Sequence, residues 1–156
     1  MVKILVDADS CPVKNLITEI ANLRQVEVWL VASLAHASPA QPFPFLRQVQ
    51  VDSFPQAVDL YVANHTNPGD IVITGDFGLA AVVLARRGIP VSPRGLIYHA
   101  RNIDAMLEQR HMAGRLRRGG CRVKGPRAIS KTDRQRLFRV LLCLLDNSQG
   151  VKGQEP

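Results

Sequence analysis

Val2 to Val6 is a short β-branched apolar run that stops abruptly at Asp7-Ala8-Asp9, two carboxylates one residue apart, followed at once by Ser10-Cys11-Pro12. An apolar run this short reads as a strand, and Ser with Pro just beyond it is a helix start signal, so the opening is a buried strand running into a helix. Asp7 then stands at the carboxyl end of the first strand. In open parallel α/β sheets that edge holds the ligand crevice, because helix starts gather there with unpaired backbone N–H groups. Ile71-Val72-Ile73-Thr74-Gly75-Asp76 repeats the pattern far downstream. If the two strands are parallel neighbours, Asp7, Asp9 and Asp76 converge on one edge.

The rest of the chain supplies the remaining elements. Val13, Leu16, Ile17, Ile20 and Leu23 form a helical stripe within Pro12 to Leu23, and Val26 to Ala32 reads as a strand. Prolines 39, 42 and 44 predict an irregular surface loop over His36 to Pro44. Val49 to Val51 is a short strand; Phe54 to His65 is a helix with Phe54, Val58, Tyr61 and Val62 on one face and Asp59 at its border. After a turn at Asn67-Pro68-Gly69 come a strand at Ile71 to Thr74, a helix from Phe77 to Arg87 ended by Gly88, and a strand at Ile89 to Val91. The order β-α-β-β-α-β-α-β predicts an α/β protein: a mostly parallel central sheet flanked by helices, with further helices at the C-terminus. Asn102 is expected to cap a helix reaching about Leu116, and Ser130 with Asp133 forms a capping box before a last helix striped by Leu137, Leu141, Leu144 and Leu145. From Asn147 the composition turns polar. Residues 1–146 are therefore expected to form a single domain and 147–156 a flexible tail.

Charge is segregated along this chain. Residues 1–100 hold seven Lys and Arg against eight Asp and Glu; residues 101–156 hold thirteen against five. A near-neutral half with clustered carboxylates and a strongly basic half point to a polyanionic partner set against an acidic centre, although a merely solvated basic face has the same composition. No apolar run approaches the roughly 20 residues of a membrane helix, and no signal-peptide pattern opens the chain, so a cytoplasmic protein is expected. Cys11, Cys121 and Cys143 are odd in number and lack metal-binding spacing; Cys11 reads as a small buried residue.

Asp7, Asp9, Asp59 and Asp76 are the candidates for chemistry. A hard cation such as Mg²⁺ prefers oxygen ligands and keeps much of its water, so a few carboxylates in a crevice suffice to place one against a phosphodiester. Plainer roles compete: Asp9 and Asp76 are each suited to cap the helix that follows, and Asp59 alone reads as a solvated helix residue. Asp7 resists such a reading, because a carboxylate closing a buried strand must be paired, solvated or bound to a cation. His36, His65, His99 and His111 lack zinc-site spacing, and no dinucleotide, P-loop or serine-hydrolase motif occurs.

Val6-Asp7-Ala8-Asp9-Ser10-Cys11-Pro12-Val13-Lys14, Val58-Asp59, Ile73 to Ala81, Pro93-Arg94-Gly95, Asn102-Ile103, Gly125-Pro126 and Asp133-Arg134 resemble the YaiI/YqxD family of bacterial proteins over nearly the whole chain to about Leu145. The resemblance implies a PIN-like fold, and PIN domains are typically Mg²⁺- or Mn²⁺-dependent ribonucleases with acidic residues at the carboxyl edge of the sheet. Asp7 resembles their first acidic position, Asp59 the helical one, and Thr74 with Asp76 the T-x-D element; Asp104 is the candidate for a further metal ligand. The chain departs from the family at Phe77-Gly78, where Ile-Pro is usual, and at Leu60, where a second acid is common.

Three readings follow. In the first, Asp7, Asp9, Asp59 and Asp76 hold one or two Mg²⁺ or Mn²⁺ ions in a nuclease acting on RNA, with Thr74 or Ser10 orienting water. Arg110, Arg115, Arg117, Arg118, Arg122, Lys124, Arg127 and Lys131 then hold the phosphate backbone. A haloacid-dehalogenase-like phosphatase is the second, but Leu79 and Ala80 stand where its further Asp is needed. The third is a non-catalytic module that binds RNA or a protein partner.

Overall fold

Five strands form one wholly parallel sheet: β1 (Ile4–Asp7), β2 (Val28–Ser33), β3 (Leu46–Val51), β4 (Ile71–Ile73) and β5 (Ile89–Val91). Five α-helices accompany them: α1 (Lys14–Arg24), α2 (Ala57–His65), α3 (Phe77–Ala85), α4 (Ala100–Arg118) and α5 (Lys131–Lys152). This computed structural model describes residues 2–33, 44–54, 56–120 and 127–152, and the side chains of all of these except Arg110 and residues 149–152. The expected loop over His36 to Pro44, apart from Pro44 itself, and the candidates Arg122 and Lys124 lie outside the described residues. So does the side chain of Arg110. No described helix is long and apolar enough to cross a membrane.

Strand order is β3-β2-β1-β4-β5. The chain moves outward from β1 to β3, returns to the middle, and builds β4 and β5 on the other side of β1. Right-handed crossovers on either side of this reversal must put their helices on opposite faces. Ile4, Val6, Val28, Leu30, Ile71 and Ile73 accordingly pack against Ile17 and Ile20 of α1 and Leu137, Leu141 and Leu145 of α5. Leu5, Val31 and Val72 pack against Val58 and Val62 of α2 and Leu79 and Val83 of α3. α4 rests on the outer side of α3 through Ala80, Tyr98 and Ile103. Because strand side chains alternate with period two, Asp7 follows Leu5, and Thr74 follows Val72, onto the face of α2 and α3.

The register of β1 on β4 is held at the end remote from Asp7. Lys3 Nζ donates to Asp70 Oδ2 at 2.5 Å, and the same carboxylate accepts from the backbone N–H of Lys3 and of Asn67. Asp70 is buried, and these bonds answer the cost of desolvating it.

Several local expectations change. α3 ends with Arg87, not Gly88, in the left-handed conformation, with φ of 63°. Gly88 N–H donates to the Val83 carbonyl and Arg87 N–H to the Leu84 carbonyl, a Schellman closure in which the glycine falls one place later than usual. Gly88 is required for space, since a Cβ there would lie 2.7 Å from Val83 Cγ1 and 2.8 Å from Thr66 Cγ2. α4 begins two residues before Asn102: His99 is the N-cap, and Asn102 closes a capping box by accepting from the His99 backbone. Arg117 and Arg118 lie in the last turn of this helix. β3 begins at Leu46, three residues ahead of the apolar run that marked it. α5 opens on the expected box between Ser130 and Asp133 and runs on through Asn147 to Lys152; residues 153–156 of the expected tail lie outside the described residues.

Gly95 has φ of +87°, and a Cβ there would stand 2.6 Å from the backbone nitrogen of Leu137. Gly69 shares the left-handed conformation but has open space, its nearest contact being Val2 Cγ2 at 3.7 Å. Both glycine-to-alanine substitutions should strain the backbone, but Gly95→Ala should cost about 1–3 kcal/mol more, because α5 must also move. Urea unfolding of the two variants measures the difference. Equal losses would show that the turn does not bear on α5.

Candidate active site at the carboxyl edge

Between β1 and β4 the chain reverses its direction of winding, and there the loops leaving neighbouring strands part to form a crevice. Asp7 closes β1, with 4% of its surface exposed. Its Oδ2 accepts from Ser10 Oγ and from Thr74 Oγ1, both at 2.9 Å. Ser10 lies on the 3₁₀ turn Ala8–Ser10 that follows β1, and Thr74 on the residue that follows β4, so one carboxylate oxygen ties both strand ends together. The hydroxyls are in turn placed by backbone: Gly75 N–H donates to Ser10 Oγ at 3.1 Å, and Asp76 N–H to Thr74 Oγ1 at 3.0 Å.

Asp76 is the N-cap of α3, accepting from the N–H groups of Gly78 at 2.8 Å and Leu79 at 3.4 Å. Asp59, in the first turn of α2, faces it. The capping role expected of Asp9 is absent: α1 starts at Val13 without a side-chain cap, and the Asp9 carboxylate accepts from the Ser33 N–H at the end of β2. Asp104 is exposed on the first turns of α4 and is not among the charges acting on Asp7 or Asp59.

Burial pushes the Asp7 pKa up, the Ser10 and Thr74 hydroxyls pull it down, and the charges of Asp9 and Asp76 push it up again; the net shift is upward. Burial, followed by the charge of Asp76 and their shared proton contact, pushes Asp59 up to about 7. No Lys or Arg is among the groups that shift either residue. Asp7, Asp59 and Asp76 are thus an anionic, all-oxygen set. Among the described residues, no group of three or more His, Cys, Asp or Glu side chains is arranged to hold a metal ion. The Asp59 and Asp76 pair, with Asp7 beside it, does match the one or two carboxylates by which Mg²⁺ is commonly held.

Beside Asp76 a cavity of about 910 Å³ opens between the turns after β4 and β5 and helices α4 and α5. Its basic wall contains an anchored cluster. Asp133, with 1% of its surface exposed, accepts from Arg94 Nη1 at 2.8 Å and from both Arg127 Nη atoms, and Arg136 approaches to 4.0 Å. Arg94 also donates to the Ala128 and Arg127 carbonyls. The Ser130 N–H and then Arg127 hold the Asp133 carboxyl below the usual carboxylate range. Arg127 is thus engaged with Asp133, while Arg115, Arg117, Arg118 and Lys131 are exposed. Arg94 and Arg136 were not among the residues singled out from the sequence; the only signal was Arg94 within Pro93-Arg94-Gly95. Cys11 is buried, which pushes its thiol up to about 11.

The fold and site together define a doubly wound α/β protein with an acidic crevice at its switch point. A family profile described as "Uncharacterized BCR, YaiI/YqxD family" matches residues 5–147, and the chain belongs to this family. It is 41% identical to a UPF0178 protein of Halalkalibacterium halodurans over 96% of this chain and 94% of the other. A UPF0178 protein of Bacillus velezensis is 42% identical, over 97% and 89%. Among solved structures, Rae1 (YacP) of Bacillus subtilis is similar over 93% of this chain and 98% of its own, with 15% identity and a TM-score of 0.39.

With its pKa raised from 3.8 to about 7, Asp59 in the folded protein keeps a proton that the unfolded chain has already released at intermediate pH. In metal-free buffer this makes stability fall as pH rises from about 4 to about 7. Asp59→Asn should therefore raise the melting temperature near pH 8 with EDTA and change it little near pH 4. A fall near pH 8 would assign Asp59 a structural role instead.

Proposed function

We propose that this protein is a metal-dependent nuclease, with RNA as its substrate, whose reaction centre is the carboxylate edge formed by Asp7, Asp59 and Asp76. The observation that carries the reading is the convergence of Asp7, Asp59 and Asp76 at that edge, where the charge of Asp76 pushes both Asp7 and Asp59 up, a cost that a divalent cation would relieve. Asp59 and Asp76, with Asp7 beside them, would hold Mg²⁺ or Mn²⁺ through one or two carboxylates, water completing the shell. Such an ion supplies a polarised phosphoryl oxygen and a bound water of lowered pKa.

The chain's own residues do the rest. Ser10 and Thr74 fix the Asp7 carboxylate so that it does not rotate away from the crevice. Asp76 is held by two backbone N–H groups at the start of α3. The exposed arginines at the end of α4 offer sequence-independent contacts to phosphates.

A second reading has an observation in its favour. Asp9 and Asp76 each accept backbone hydrogen bonds, so both have structural work without any metal. On that reading the protein is a non-catalytic module that binds nucleic acid or a protein partner.

A panel of RNA and DNA substrates with Mg²⁺ or Mn²⁺ separates the two. The double variant Asp7→Asn with Asp76→Asn retains a good N-cap at α3, since Asn caps as well as Asp, yet removes two charges. It should bind RNA as tightly as wild type or more so, and lose metal-stimulated cleavage. Cleavage equal in both proteins would indicate a contaminant, and binding without cleavage under any metal would leave the non-catalytic module. Arg115→Ala with Arg118→Ala should lower the slope of log affinity against log salt by about one to two. An unchanged slope would remove these arginines from the interface.

A further inference from the structure

The cavity beside Asp76 is lined by three kinds of side chain. Phe77, Leu96, Tyr98, Met106 and Ile129 give it apolar and aromatic surface. Ser10 and Asp76 line it where it meets the carboxylate edge, and Arg94, Arg117 and Arg136 add positive charge to its lining. Arg94 is pre-positioned by Asp133, so this side of the wall needs no ordering when a ligand arrives. Three guanidinium groups are attached to this one buried carboxylate, Arg136 at the longest distance, which leaves the wall with surplus positive charge.

A ligand that fits must have a flat or compact apolar body, at least one anionic group for the arginines, and a second polar group reaching the acidic edge. A nucleotide has all three. A base buries on apolar and aromatic surface whatever its identity, and guanidinium groups stack on bases and pair with phosphates. A paired base cannot enter, because its edge and both faces are covered within the duplex, so the strand must be open at this position.

We propose that this cavity seats one unstacked base of a single-stranded nucleic acid and thereby sets the neighbouring phosphodiester against Asp7, Asp59 and Asp76. This deepens the nuclease reading and rests on it for the role of the phosphodiester; seating of the base itself needs no cleavage. Substrates with unpaired positions are then bound in preference to duplexes, with little dependence on which base is present.

The test is a binding titration of wild-type protein in EDTA, where no metal-dependent cleavage occurs. A short oligonucleotide that is abasic throughout is compared with the same chain carrying one base, and with the corresponding duplex. One restored base should tighten binding about tenfold, the scale of a single stacked base, and a second base should add much less. Ala113→Trp and Met106→Trp, which fill the cavity, should each remove that gain and leave affinity for the abasic chain as it was. Equal binding of the abasic and one-base chains to wild type would overturn the proposal without reliance on any variant. So would tighter binding of the duplex. A free nucleoside monophosphate that binds as tightly as the one-base chain would overturn the strand assignment in favour of a mononucleotide site. If the base-dependent gain appears and no metal supports cleavage, the nuclease reading fails and the base site stands; cleavage without the gain gives the reverse.

Discussion

A carboxylate buried at the end of a central strand is the constraint on which the site depends. Each hydrogen bond to an ionised acceptor contributes about 1.5–3 kcal/mol, and Asp7 receives two from hydroxyls. Its pKa is nevertheless raised, so burial and like charge outweigh both bonds. The protein keeps this unfavourable group where two strands of opposite winding sense part, and a second acidic pair stands beside it. Like charges and burial are thus concentrated at one edge of an otherwise well-satisfied fold, and perturbed groups of this kind cluster at functional sites in proteins generally.

Much of the architecture was legible because period and punctuation agreed. The β-branched runs at Ile4 and Ile71, separated by helical stripes, read as parallel strands with crossovers, and as hydrogen-bonded parallel neighbours they bring their following Asp residues to one edge. Element boundaries were less legible where tertiary contact decided them. Gly88 looked like a helix terminator, but it is glycine because Val83 and Thr66 crowd it, and Arg87 takes the left-handed turn. Asp9 looked like a cap, and the Ser33 N–H that it accepts lies on another strand, which local spacing cannot reveal. The polar residues after Asn147 carry no apolar stripe, yet the helix nucleated earlier extends through them.

The basic half was legible as charge and not as structure. A count of arginines could not separate those held by Asp133 from those free to meet a ligand, because that partition depends on a turn between β5 and α4 reaching the start of α5. Arg94 is the connecting residue. It joins the middle of the chain to α5 and lines the cavity at the same time, so one side chain serves both packing and the cavity wall.

The position of α5 bears on how the protein is made. Leu137, Leu141 and Leu145 are fully buried against strands that leave the ribosome first, and Asp133 orders Arg94 from the same helix. Contacts between the two extremes of the described chain must therefore close last during synthesis, after the intervening chain has been looped out. A nascent chain ending before α5 has its first sheet face uncovered and its basic wall unassembled. A chain without α5 would thus lack both the cover of its first sheet face and the Arg136 side of the cavity beside the acidic edge.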